Sequence, residues 1–195
     1  MRASLQFDEL DRLVEQTLET GTRSPNAVSA LDCLERESFL VQELFADNPS
    51  MAVTGELFDL AERLTLVGLR LAKYFQGTGE LDLEERAWHL RHDTMHTARA
   101  HQRNVMGPII LDWADCNRRL GRHEKADSLY DSVISDFSTI LGWGPTFNAD
   151  WIEAVKSLQK ALAMSSKNYG DLSSRVDTVL AQSEELRNQQ AAGVG

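Results

Sequence analysis

Cysteine is scarce in this chain of 195 residues, with only Cys33 and Cys116 present. They are far apart and each falls in a helical pattern, so they read as reduced, buried thiols and not as a disulfide framework. No apolar run exceeds a few residues, which excludes a membrane-spanning helix. The N-terminal segment also lacks the basic start and unbroken apolar stretch of a signal peptide, because Asp8, Glu9, Asp11 and Glu15 interrupt it. The expected location is therefore the cytoplasm. An excess of positive charge is missing too. Twenty Lys and Arg stand against thirty Asp and Glu, a net charge of −10. Without a basic face to neutralise phosphates, general nucleic-acid binding is not expected.

What the chain does have is an ordinary folded composition, 42% hydrophobic and 26% charged. Its length suits one domain, read as residues 1–190, with residues 191–195 as a frayed tail. Charge is spread unevenly. Residues 81–125 hold eight Lys and Arg against seven Asp and Glu, and all five histidines; the remainder carries twelve against twenty-three. The centre of the chain is thus its least acidic part.

Apolar spacing is helical nearly throughout, and the fold class is all-α. Leu10, Leu13, Val14 and Leu18 follow the i, i+3, i+4 rule and predict a first helix over 4–20, stopped by Gly21. Ser24-Pro25, a capping serine before proline, opens a second helix to about residue 46, with Leu31, Leu34, Phe39, Leu40 and Leu44 available for burial. The 47–50 stretch breaks the chain, with Ser50 or Thr54 as the next cap. A leucine-rich third helix over 51–75 carries Leu57, Leu60, Leu64, Leu66, Leu69 and Leu71 on more than one stripe, the pattern of a helix packed on both sides. Gln76-Gly77-Thr78-Gly79 ends it. A fourth helix over 82–103 holds the histidines, and Gly107-Pro108 interrupts the chain before a fifth over 109–120. Gly121 closes that helix, a sixth spans 123–141, and Gly142-Trp143-Gly144-Pro145 is a loop. Asn148 or Asp150 caps a seventh to about residue 167; an eighth covers 172–188. Short turns between consecutive helices predict about eight helices in four antiparallel hairpins.

The stretch ILDWADCNRRLGRHEKADSLYDSVISDF, within residues 107–140, resembles a tetratricopeptide repeat, a helix–turn–helix unit of 34 residues. Gly121 takes the turn position, Ala114 and Ala126 the small positions that let the helices approach, and Tyr130 the aromatic position. The helix-ending glycines Gly21, Gly79, Gly121 and Gly170 do not keep that period, so an irregular repeat superhelix and a more globular bundle both remain open. The resemblance implies a protein-binding scaffold. Repeats that grip a C-terminal carboxylate use asparagine and lysine where this chain has Leu111, Asp112 and Asp115, so that ligand class is not implied.

Two clusters carry candidate chemistry. Arg91, Arg99 and Arg103 on the fourth helix and Arg118, Arg119 and Arg122 at the next hairpin form a candidate surface for an acidic protein or peptide. Local acids such as Asp115 and Glu124 offer a plainer role as partners of a solvated face. Glu85, His89, His92 and His96 make one helical stripe. His92 and His96, four apart, have the spacing to share a divalent metal, with Asp59 or Asp112 as further ligands, although a third ligand at the far end of the stripe is ~10 Å away along the axis. The same stripe also reads as a structural face packed near Trp88. Gly77 and Gly79 follow no strand, so they are not a phosphate loop. Cys116 and His123 lack an orienting group. Trp113, Trp143 and Trp151 read as gap fillers, with Trp143 also suited to an exposed anchor in its Gly-Pro loop. The expected function is a non-catalytic interaction module without cofactor, acting through the central helices. The alternatives are a metal-binding helical protein or enzyme using His89, His92 and His96, and a homodimer sealed by the third helix.

Overall fold

The computed structural model describes residues 2–19, 24–47, 55–98, 106–146 and 148–193. All regular structure among them is helical: eight α-helices and one short 3₁₀ helix. The expected breakers Gly21, Asn48, Pro49 and Ser50, the cap Thr54 and the residues Arg99, His101 and Arg103 lie outside the described residues. Two compact units emerge, Met1–His101 and Gln102–Gly195.

The first unit contains α1 (Arg2–Glu19), α2 (Asn26–Asp47), α3 (Gly55–Thr78) and α4 (Leu81–Ala98). Helix α3 packs against the other three, as its two-sided leucine pattern predicts. Leu10 and Val14 of α1, Leu31 and Leu34 of α2, Leu64, Leu71 and Phe75 of α3, and Ala87 and Trp88 of α4 are buried. The Ser24 hydroxyl accepts from the Asn26 amide at 3.2 Å at the start of α2. One expectation fails in α2. Phe39 is 59% exposed and Leu44 also faces solvent, while Glu37 and Ser38 are buried. Leu31, Leu34, Val41 and Phe45 set the inward stripe, and its period carries Glu37 and Ser38 inward with them. Exposed ion pairs tie neighbours at the rim: Arg63 with Asp11, Arg70 with Glu15 at 2.7 Å, and Arg86 with both Asp32 and Glu35. Pairs this exposed each contribute about 0–1 kcal/mol, so apolar burial dominates.

The second unit contains α5 (Met106–Arg119), α6 (His123–Ser138), the 3₁₀ helix Thr139–Trp143, α7 (Ala149–Met164) and α8 (Leu172–Ala192). Helices α5 and α6 pack together, α7 packs on both of them, and α8 packs on α7. Gly121, at φ +74°, forms the turn between α5 and α6. Its amide donates to the Arg118 carbonyl at 3.0 Å and the Arg122 amide donates to Asn117 at 2.9 Å. This double closure satisfies the last carbonyls of α5 and holds the turn in one geometry. Asn148 caps α7, its side-chain oxygen accepting from the Trp151 amide at 3.1 Å.

Several helix boundaries differ from the sequence reading; α3 runs through Gly77 to Thr78, and α7 stops at Met164 and not near residue 167. Helix α5 begins at Met106, so Gly107 and Pro108 lie inside its first turn and do not precede it. Proline is tolerated there because the first amides have no intrahelical acceptor. Helix α6 tightens into 3₁₀ geometry from Thr139 onward. Helix α8 continues through Ala192, since no breaker occurs before Gly193, so Ala191 and Ala192 are helical.

Polar pins join the second unit. Asp115 of α5 accepts from Tyr130 of α6 at 2.7 Å and from Lys160 of α7 at 2.7 Å. Burial together with the Asp115 carboxylate raises the Tyr130 phenol to about 12. Asp131 of α6 accepts from Ser165, Lys167 and Tyr169 in the segment joining α7 to α8. Burial opposes charge on Asp131, but these donors outweigh it and hold the carboxyl below its ordinary range.

Gly107 is the tightest approach in this unit. A Cβ there would stand 3.0 Å from Ser157 Cβ and 3.1 Å from Phe137 Cζ, whereas one on Gly77 meets nothing within 4 Å. Gly107→Val is therefore expected to destabilise by about 1–3 kcal/mol through overpacking. Gly77→Ala, near the end of α3, is expected to stabilise by about 0.5–1 kcal/mol. Urea denaturation followed by circular dichroism checks both signs.

Candidate functional site

The α5–α6 turn gathers positive charge because α5 ends in Arg118 and Arg119 and α6 opens after Arg122. Arg118, Arg119, Arg122 and Lys125 are all exposed. Arg118 is also structural, since its Nη1 donates to the Met164 carbonyl at 3.1 Å and so satisfies a C-terminal carbonyl of α7. Lys125 sets its ammonium 4.8 Å from the centre of the buried Trp113 ring. Asp115, one of the acids expected to pair with these arginines, is occupied by Tyr130 and Lys160. Arg91 belongs to the first unit, half-buried, with its guanidinium 5.4 Å from the Trp88 ring centre. The structure thus brings together Arg118, Arg119 and Arg122 of the six expected arginines, and Arg99 and Arg103 are outside the described residues.

On α4 the histidine stripe is organised by a residue that the sequence reading passed over. Asp93 accepts from His89 Nε2 at 3.1 Å and from His92 Nδ1 at 2.9 Å. Its position four residues after His89 and next to His92 is the signal that identifies it. An ionised carboxylate only accepts, so each of those ring nitrogens carries its proton. His92 and His96 stack, with ring centres 5.8 Å apart and planes inclined by 27°. Among the described residues, no group of three or more His, Cys, Asp or Glu is arranged to hold a metal ion. Burial opposes charge on Asp93, but the two histidine hydrogen bonds outweigh it and hold the carboxyl far below the usual range. Trp88, on the same helix, is buried, its Nε1 donating to the buried Glu84 at 3.0 Å.

Both cysteines are free and buried. Burial raises the Cys33 thiol, and Cys116 has no exposed surface while His123 faces solvent. Both environments suit packing residues better than nucleophiles. In α3, Leu57, Leu64 and Leu71 are buried in their own unit, whereas Leu66 is 55% exposed. Trp113 and Trp151 fill the core of the second unit, but Trp143 is 73% exposed. Gly144, at φ +77°, turns the chain directly after it. A groove of about 430 Å³ lies between α7 and α8, lined by Lys156, Gln159, Lys160, Leu162 and Ala163 on one side and Asp177 on the other.

No described helix is long and apolar enough to cross a membrane. Comparison with known proteins gives no match to a protein family, a curated protein or a solved structure.

The Asp93 shift carries a pH signature. A carboxyl whose folded-state pKa is depressed adds stability above its unfolded value and loses it as pH falls toward the folded one. Because Asp93 is 42% exposed, solvent screening reduces its contribution. Asp93→Asn is expected to cost about 0.5–1 kcal/mol at neutral pH. The gap from the unsubstituted protein should close as pH falls below about 3.9. Paired urea melts across acidic pH measure it.

Proposed function

We propose that this chain is a non-catalytic interaction module that binds an acidic protein or peptide at the α5–α6 turn. The observation that carries the reading is the set of exposed cations Arg119, Arg122 and Lys125 around Gly121. The turn is closed by two backbone hydrogen bonds and anchored to α7 by Arg118, so its arginines project from a fixed base. A preorganised base lowers the ordering cost of binding, and a guanidinium fork matches a carboxylate with two hydrogen bonds.

The likeness to a tetratricopeptide unit gives further support. Ala114, Ala126 and Tyr130 are buried at the small and aromatic positions, and Gly121 adopts the left-handed turn. Helix α7 contacts both α5 and α6, which is how a following unit stacks in such arrays. On this reading the second unit is a short, irregular stack. The two reduced, buried thiols fit a cytoplasmic setting.

A double reversal, Arg119→Glu with Arg122→Glu, tests the proposal without disturbing the Arg118 anchor. Binding of the unsubstituted chain to a fluorescent poly-glutamate peptide is expected to weaken steeply with salt, and the reversed chain is expected to bind at least tenfold more weakly. Equal binding by both chains, or no dependence on salt, would falsify the assignment of this turn.

A further inference from the structure

The histidine stripe of α4 has a chemistry that the α5–α6 turn does not use. His92 and His96 are four residues apart on one helix face, so a single ion can reach a ring nitrogen of each. Their ring centres already lie 5.8 Å apart, with planes inclined by 27°. Two imidazoles that share one tetrahedral ion through bonds of about 2.0–2.1 Å have centres ~5 Å apart. A turn of the exposed His96 ring about its side-chain torsions closes the difference, with the helix unchanged.

Asp93 decides which histidine nitrogens are offered. It accepts from His92 at Nδ1, the ring nitrogen nearer the backbone, at 2.9 Å. The proton is held there, so the lone pair stands on Nε2, at the outer end of the ring. At His89 the choice is reversed. There Nε2 donates to Asp93 at 3.1 Å, and the lone pair stands on Nδ1, close to the main chain. The lone pair of His92 is thus the one carried outward, where a ring one turn further along meets it. An ion that binds there displaces any proton donor resting against that nitrogen. A carboxylate on the far nitrogen is also the usual companion of a metal-bound histidine, because it fixes the ring and raises the basicity of the ligating atom.

Solvent reaches these groups, since the His92 side chain is 20% exposed, Asp93 is 42% exposed and His96 faces outward. We infer that His92 and His96 bind one divalent ion of the zinc, copper and nickel class through two ring nitrogens, with Asp93 as the positioning residue. Neutral imidazole nitrogens select that class, whereas magnesium and calcium take oxygen ligands. Among the described residues no cluster of three or more His, Cys, Asp or Glu completes a coordination shell. The site is therefore one of two protein ligands, and water fills the remaining places.

Isothermal titration calorimetry of the full chain with zinc, nickel or copper(II) chloride tests the assignment. One saturable site per chain is expected, tightest for copper(II), with no binding of magnesium. His92→Ala and His96→Ala should each weaken binding by roughly tenfold or more, because each removes one arm of a chelate. His123→Ala, at an exposed histidine of the second unit, should leave it unchanged. Asp93→Ala should weaken binding by about 10–100-fold. The same variant should move the His92 proton off Nδ1, read from ring-nitrogen chemical shifts by nuclear magnetic resonance; a merely structural role for Asp93 leaves that tautomer in place. Circular dichroism verifies that each variant keeps its helices. The lack of a saturable site for all three ions overturns the inference, as does undiminished binding by His92→Ala or His96→Ala. Magnesium binding as tight as that of zinc overturns it too, since carboxylates and not imidazoles would then be the ligands. An unmoved His92 tautomer in Asp93→Ala overturns the role given to Asp93. These residues belong to the first unit, so this assignment and that of the Gly121 turn fail separately.

Discussion

Each helix of this protein carries an apolar stripe that it cannot bury alone, and the satisfaction of those stripes is the constraint on which the rest depends. Burying one large aliphatic or aromatic side chain is worth about 1.5–3 kcal/mol, whereas an exposed ion pair is worth about 0–1 kcal/mol. Helix α3 shows the consequence in the first unit. Its leucines run around more than one face, and α1, α2 and α4 all lie against it. In the second unit α7 has the corresponding place, meeting α5, α6 and α8.

Polar groups act within that apolar frame by choosing among packings of similar burial. Asp115 receives donors from α6 and α7 together, so a single carboxylate fixes the mutual setting of three helices. Asp131 does similar work for the segment leading into α8. Arg118 reaches back to close the end of α7. These links explain why an arginine-rich stretch of sequence forms a fixed turn. Among the arginines of the turn, Arg118 holds the fold through that carbonyl.

The exposed cations of the α5–α6 turn and the exposed Trp143 lie at different ends of α6. The cationic turn precedes it and Trp143 follows it, and its 16 residues set the two apart. A helix of that length spans ~24 Å, so one compact ligand does not cover both. The histidine face of α4 belongs to the other unit, where Asp93 links two of its rings.

Helical class, the number of helices and most of their ends were legible in the sequence, because period and breaker residues act locally. Ala114, Ala126 and Tyr130 could be named as buried positions on the same ground. Phe39 could not be placed, since its exposure depends on the phase of a stripe that carries Glu37 and Ser38 inward. Gly107 read as a breaker, yet it is a contact: only the approach of Ser157 and Phe137 shows why it has no side chain. The arginines read as one cluster along the chain, and tertiary structure divided them by task, since a carbonyl acceptor such as that of Met164 is remote in sequence. The sequence by itself determined which segments are helices and which faces are apolar, because those depend on neighbours within a turn or two. Tertiary structure alone decided which polar side chains hold the fold, that Trp143 stands free of it, and that α7 and α8 leave a groove, because each depends on groups far apart along the chain.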